Sequence, residues 1–196
     1  MSTVGFFGSR ALGADQAGSI EACVARFAAA GRTMATGCAT GADAYALAAA
    51  LRSAGPSRTV VFAAFDRSGV GSWRQSNVEG VQAAASAGAT VHWLAGGPLT
   101  NRLVWRLVNR SRAMVDSLDA AGYDEHSGIV GWVTGAPPRS PGSWGTVKVA
   151  IARGLRCVVF PVGWPAASMP LPARGAWVQA GSGIWSRALL WVGSTA

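Results

Sequence analysis

Lysine is nearly absent from this chain. Lys148 stands alone among 17 basic residues, the rest being arginine, and 9 acidic residues oppose them for a net charge of +8. No basic residues run consecutively and none form a tail, so the charge permits nucleic acid or anionic ligands without specifying either. Cysteine and histidine are scarce too. Cys23, Cys38 and Cys157 are odd in number and far apart, with His92 and His126 the only histidines. That disfavours a disulfide framework and a zinc site, and no metal is expected. No apolar run approaches the length that spans a bilayer. The first strand-like run, Thr3-Val4-Gly5-Phe6-Phe7, starts too early to leave room for a signal peptide, so a cytoplasmic protein with no membrane partner is expected. Gly-Lys-Ser/Thr is missing, as is Gly-x-Gly-x-x-Gly after the first strand, which removes the Walker loop and the NAD fingerprint. No Ser–His–Asp or Cys–His arrangement can be argued.

What remains is ample core material. Half of the 196 residues are hydrophobic and 13% are charged, which argues against disorder and for one domain of ordinary size. Up to about residue 160, short strands alternate with helices. Strands are expected at Val4–Phe7, Arg32–Thr36, Thr59–Ala64, Thr90–Leu94, Ile129–Thr134 and Arg156–Pro161. Helices are expected over 14–30, 42–53, 76–87, 100–119 and 145–153. Alternation of this kind predicts an α/β protein, a mostly parallel sheet with helices on both faces and ligands at the carboxyl ends of the strands. Residues 1–162 read as that domain. Residues 163–196, rich in proline and glycine and then in tryptophan, read as a hairpin or edge strands packing on it.

Two glycine-bearing loops then attract attention, Thr36-Gly37-Cys38-Ala39-Thr40-Gly41-Ala42-Asp43 and Pro141-Gly142-Ser143-Trp144-Gly145-Thr146. Each follows an expected strand and opens an expected helix, where free backbone N–H groups and the helix dipole favour a phosphate. Glycine permits close approach, and Thr36, Thr40, Ser143 and Thr146 add hydroxyls. The alternative is a pair of ordinary strand-to-helix turns. Trp144 is placed to lie over a base. Cys38, near a helix N-terminus, is either a stabilised thiolate or a small residue in a tight turn.

Arg110 is the sharpest single residue. Leu103, Leu107, Met114 and Leu118 share one helical stripe, and Arg110 falls on it while Arg112 points away. A guanidinium in a core stripe needs an anion: a ligand phosphate or carboxylate, or a structural partner such as Asp43. Asp43 either complements its helix dipole or bonds a ribose hydroxyl. Arg10, directly after the first strand with Gly8 and Ser9, is either a phosphate contact or a solvated loop charge. Asp124-Glu125-His126 reads as a solvated connector and His92 as a structural histidine.

These pieces, namely Gly8-Ser9-Arg10, the Thr36–Asp43 loop, Arg110 before Met114 and Pro141–Thr146, resemble a superfamily over roughly residues 3–162. It joins the lysine-decarboxylase-like "lonely guy" phosphoribohydrolases to the core domain of DNA-processing protein A. The resemblance implies a three-layer Rossmann-like fold, a nucleotide-type ligand and a dimer. It also sets limits. The phosphoribohydrolases carry Pro-Gly-Gly-x-Gly-Thr-x-Glu-Glu, whereas here Ser143 replaces the second glycine and Lys148 and Val149 stand where the glutamates would be. Asp43 and Asp66 are the substitutes in place. The expectation is a protein that binds a nucleotide or nucleotide-derived phosphate through Gly8, Ser9, Arg10, Thr36, Gly37, Thr40, Gly41, Asp43, Arg110, Gly142, Ser143, Trp144, Gly145 and Thr146, with no required cofactor. A nucleoside-monophosphate phosphoribohydrolase using Arg110 and Asp43, and a single-stranded DNA binder, are the alternatives.

Overall fold

The computed structural model describes residues 2–118, 128–135 and 141–194. The Asp124-Glu125-His126 cluster and part of the loop before Pro141 lie outside them. Strands β1 (Thr3–Gly8), β2 (Thr33–Thr36), β3 (Thr59–Phe62), β4 (Thr90–His92), β5 (Gly128–Val133) and β6 (Cys157–Pro161) alternate with α1 (Ala17–Ala29), α2 (Ala42–Ser53), α3 (Gln75–Ser86), α4 (Leu103–Asp116) and α5 (Pro141–Ala152). Strands β7 (Gly175–Gln179) and β8 (Leu189–Gly193) follow. All eight form one sheet in the order β4-β3-β2-β1-β5-β6-β8-β7. The first six are parallel, and β8 joins β6 antiparallel with β7 as its hairpin partner. Among the described residues no helix is long and apolar enough to cross a membrane.

Successive side chains of a strand point to opposite faces, and β1 shows the consequence. Phe6 packs with Val4, Met34, Trp132 and Phe160 beneath α1 and α2, through Ile20, Val24, Phe27, Ala46 and Ala50. Phe7, its neighbour, packs with Ala35, Ile129, Val133 and Val159 beneath α4 and α5, through Met114, Val115, Val147 and Ala150. Helix α3 closes the first layer over Val61 and Phe65 with Val78 and Val81. β5 is buried along its whole length, as a strand covered on both faces must be, which is why its sequence Gly-Ile-Val-Gly-Trp-Val has no polar alternation.

The connections put α1–α3 on one side and α4–α5 on the other, so the winding reverses between β1 and β5. The tail reaches both faces. Trp185 packs on Phe27 and Phe160, while Trp164, Trp177 and Trp191 join the other layer.

One boundary differs in a way that matters. Helix α5 begins at Pro141 and includes Gly142 through Thr146, so those residues are helical turns and not the loop expected ahead of a helix at 145. Proline at a first helical position already has the required φ and lacks an N–H that would be unpaired there.

Trp132 anchors the first layer. It is 1% exposed, stacks on Phe160 at a centroid distance of 4.9 Å, and donates its indole N–H to Ser19 Oγ at 2.8 Å. Trp132→Ala should lower the unfolding free energy by about 3–5 kcal/mol, the usual cost of truncating a buried aromatic. Denaturant titration will show this as a lower midpoint at unchanged slope.

Candidate functional site

The carboxyl ends of β1, β2, β3 and β5 lie along one edge of the sheet, and the reversal between β1 and β5 is where open α/β sheets bind ligands. Gly8 ends β1. The Ser9 N–H donates to the Trp132 carbonyl at 2.7 Å, and Ser9 Oγ accepts from the Thr134 hydroxyl at 2.9 Å and the Ala11 N–H at 3.2 Å. The Ser9 carbonyl accepts from the Ala42 N–H at 3.2 Å, tying the loop after β1 to the one after β2. Gly41, at φ 72°, makes that seam possible. A Cβ there would stand 2.4 Å from the Ser9 carbonyl oxygen. Thr40 sits partly exposed beside it.

Arg110 and Asp43 meet beneath this seam. Arg110 Nη1 lies 2.9 Å from Asp43 Oδ2, with both residues buried. The same oxygen accepts the Ala39 N–H at 3.1 Å, and the Thr36 hydroxyl donates to the Asp43 carbonyl at 3.4 Å. Gly37 is the floor: a Cβ there would lie 1.5 Å from Arg110 Nη1. Of the two partners open to Arg110 in the sequence, the structural carboxylate is the one it meets. Burial works against the guanidinium's charge, but the charge and hydrogen bond of Asp43 together with the Cys38 sulfur offset it, and the Arg110 pKa lies above its ordinary value. Asp43 thus takes a backbone N–H and a guanidinium that the phosphate-cradle expectation assigned to a ligand.

Of the two readings of Cys38, the structure fits the small buried residue: burial pushes its pKa up more strongly than the Arg110 charge lowers it, and its Sγ accepts the Ala64 N–H at 3.3 Å. One further expectation needs correction. Trp144 does not offer its ring to a base. It is 3% exposed, donates its indole N–H to the Gly135 carbonyl at 2.7 Å, and meets Trp164 and Trp177 edge-on. Its neighbours Ser143 and Thr146 are also buried, and the Thr146 hydroxyl bonds back to the Gly142 carbonyl at 3.1 Å. Gly142 and Gly145 face outward from the helix with exposed Lys148.

Arg106 is the residue that sequence reasoning missed. It lies four residues before Arg110, hence on the same helical face, and that spacing was the available signal. Buried, it donates from Nη1 to the Ala64 carbonyl at 2.6 Å, from Nη2 to Gly71 at 3.0 Å and from Nε to Asn101 at 3.2 Å. A rigid fork of donors suits this task. The loop after β3 is thereby clamped to the start of α4.

Above the clamp the rim is basic and aromatic. The Arg10 guanidinium carbon lies 4.4 Å from the Trp73 ring centroid, in cation–π geometry. Arg10, Arg67, Arg74 and Arg102 are exposed, as are Trp73 and Trp105. Asp66, the acid in this loop, turns inward on its own backbone. Its Oδ1 accepts from the Ser68 hydroxyl and N–H and the Val70 N–H, and these bonds, led by the hydroxyl, hold its pKa below the usual carboxylate range. Among the described residues no group of three or more His, Cys, Asp or Glu could hold a metal ion.

Removing one partner of a buried pair leaves the other charge uncompensated. Asp43→Ala should therefore cost about 3–5 kcal/mol of stability, while Asp43→Ala combined with Arg110→Met should recover part of that loss. Paired denaturant titrations of the single and double variants measure both.

No protein-family model matches the chain, and no curated protein matches its sequence. Solved structures match its fold. DNA processing protein A from Streptococcus pneumoniae aligns with a TM-score of 0.59 at 21% identity, over 82% of this chain and 50% of that one. DNA processing protein A from Helicobacter pylori, described for its single-stranded DNA binding mode, aligns with a TM-score of 0.60 at 17% identity, over 82% of this chain and 65% of that one. The chain spans less than two-thirds of the length of either protein, and what it shares with them is the Rossmann-like α/β fold.

Proposed function

We propose that the chain binds single-stranded DNA along the carboxyl-end rim of its sheet, with Arg10 and Trp73 at the centre of the contact. One observation carries the reading: an exposed guanidinium 4.4 Å over the ring of an exposed indole, on loops from β1 and β3. Proteins that hold single strands without base pairing combine cations along the backbone with aromatic rings under the bases. Arg67, Arg74 and Arg102 extend the positive rim, and Arg106 fixes the loops that carry it. The fold shared with a protein described for binding single-stranded DNA supports the same reading.

Binding of a nucleotide or nucleotide-derived phosphate is the second reading. The crevice between β1 and β5, where the Ser9 and Thr134 hydroxyls meet, favours it. The ion pair at Gly37 counts against it, because the first glycine loop already holds a carboxylate. Hydrolysis of a monophosphate has less support still: Asp43 is ion-paired and Asp66 is bound within its own loop.

Fluorescence anisotropy with a labelled oligothymidine over a salt series tests the DNA reading. For a single strand, log affinity should fall against log salt with a slope of about −0.7 per neutralised phosphate, or roughly −3 if four rim arginines engage. Arg10→Ala should make the slope shallower by about 0.7. Trp73→Ala should weaken binding by about 1–3 kcal/mol, the worth of one stacked base. A chain that binds no oligonucleotide at low salt yet is stabilised by a mononucleotide would overturn the first reading in favour of the second.

A further inference from the structure

We infer that β7 is a self-pairing edge: two copies of the chain join β7 to β7 in antiparallel register about Trp177, continuing the sheet from one copy into the other. β7 closes one end of the sheet, with β8 on one side and no strand on the other among the described residues. A bare sheet edge invites another strand, and proteins blunt such edges with charge, proline, short length or a cover. The opposite edge is blunted, since β4 has only three residues. β7 has five, with neither a charge nor a proline among them.

Hydrogen bonding fixes which residues face the open side. The Ala180 N–H donates to the Ala188 carbonyl at 3.0 Å, and the Ser194 N–H to the Arg174 carbonyl at 3.3 Å. Main-chain groups alternate sides along an antiparallel strand, so even-numbered residues pair with β8 while Gly175, Trp177 and Gln179 turn theirs outward. An antiparallel copy centred on Trp177 sets Trp177 opposite itself and Gly175 opposite Gln179, and the outward groups meet in about six main-chain bonds. Ala176 then faces Val178 of the second copy, in the closer, non-hydrogen-bonded kind of pair. Both are exposed in the single chain, and Val192 beside Ala176 on β8 is exposed too, so the seam runs along an apolar strip.

Charge and symmetry select a second copy as the occupant. At a net charge of +8, copies repel wherever arginine faces outward, yet no residue from Gly175 to Ser186 is charged. Arg174 comes opposite Ala180, which leaves the two Arg174 side chains roughly 20 Å apart at about 3.4 Å per residue, beyond the screening length of about 8 Å. The same patch serves both copies, as a closed two-fold contact requires. Because β8 is antiparallel to both β6 and β7, the seam points the carboxyl-end rims of the two copies to opposite ends of the joined sheet and leaves both rims open.

Sedimentation velocity of the full chain over a concentration series should show twice the chain mass, falling to that of one chain on dilution. Val178→Lys keeps the bonds to β8 and sets a cation near its symmetry mate, so it should weaken dimerisation roughly tenfold or more. Ala176→Glu should do the same with the opposite charge. Mixing the two variants should restore the dimer, because this register sets the introduced cation opposite the introduced carboxylate; thermal melting establishes that both variants fold. Amide exchange reads the unaltered chain directly: the Trp177 and Gln179 N–H groups should slow as concentration rises, while the Val178 N–H stays unchanged. A single-chain mass at every concentration overturns the inference, as do Trp177 and Gln179 amides indifferent to concentration. A dimer that both variants leave intact places the contact on another surface, and a mixture that fails to recover the dimer each variant lost rules out this register.

Discussion

A guanidinium and a carboxylate buried together at the end of β2 hold the two helical layers of this protein in register. Arg110 belongs to α4 on one side of the sheet and Asp43 to α2 on the other. They reach each other around the strand end only because Gly37 has no side chain to stand between them. The Ala39 N–H completes the arrangement by donating to the same carboxylate oxygen. Neither charge tolerates burial alone, so the loop after β2 and the start of α2 bring the two together, although Arg110 Nε is buried without a hydrogen-bond partner among the described residues.

From that point the rim divides its arginines by task. Arg110 and Arg106 are buried and committed to the fold, one to a carboxylate and the other to three carbonyl oxygens. Arg10, Arg67, Arg74 and Arg102 stay exposed on the loops that the buried pair fixes. The reach of arginine explains why one residue type serves both purposes. Its planar fork can satisfy several carbonyls at once, and it also lies flat on an indole ring. The near absence of lysine is consistent with a surface where shape matters as much as charge.

Much of the fold was legible in the sequence. All six expected strands and all five expected helices up to residue 162 are present in the expected order. Other expected boundaries shift by a few residues at most, except at Pro141. There the glycines suggested a loop, but proline's fixed φ and the hydrogen-bonded turns after it extend the helix back over them. The site was legible in part. Arg110's place on a core stripe demanded an anion, and periodicity alone could not say whether that anion came from outside. Arg106 was passed over because carbonyl oxygens, its partners, leave no mark in a sequence. Trp144 shows the opposite error, since a tryptophan in a glycine-rich stretch looks available until Trp164 and Trp177, supplied by the tail, pack against it.

By itself the sequence determined the class of fold, the alternation that aligns strand ends along one rim, and the need for a counter-charge to Arg110. Those follow from local periodicity and from the cost of burying a charge, both carried by residues close in the chain. Tertiary structure alone decided that Asp43 is the counter-charge, that Arg106 clamps the rim, and that Arg10 meets Trp73. Each joins residues dozens of positions apart, and only the folded backbone brings their donors, acceptors and rings within contact distance.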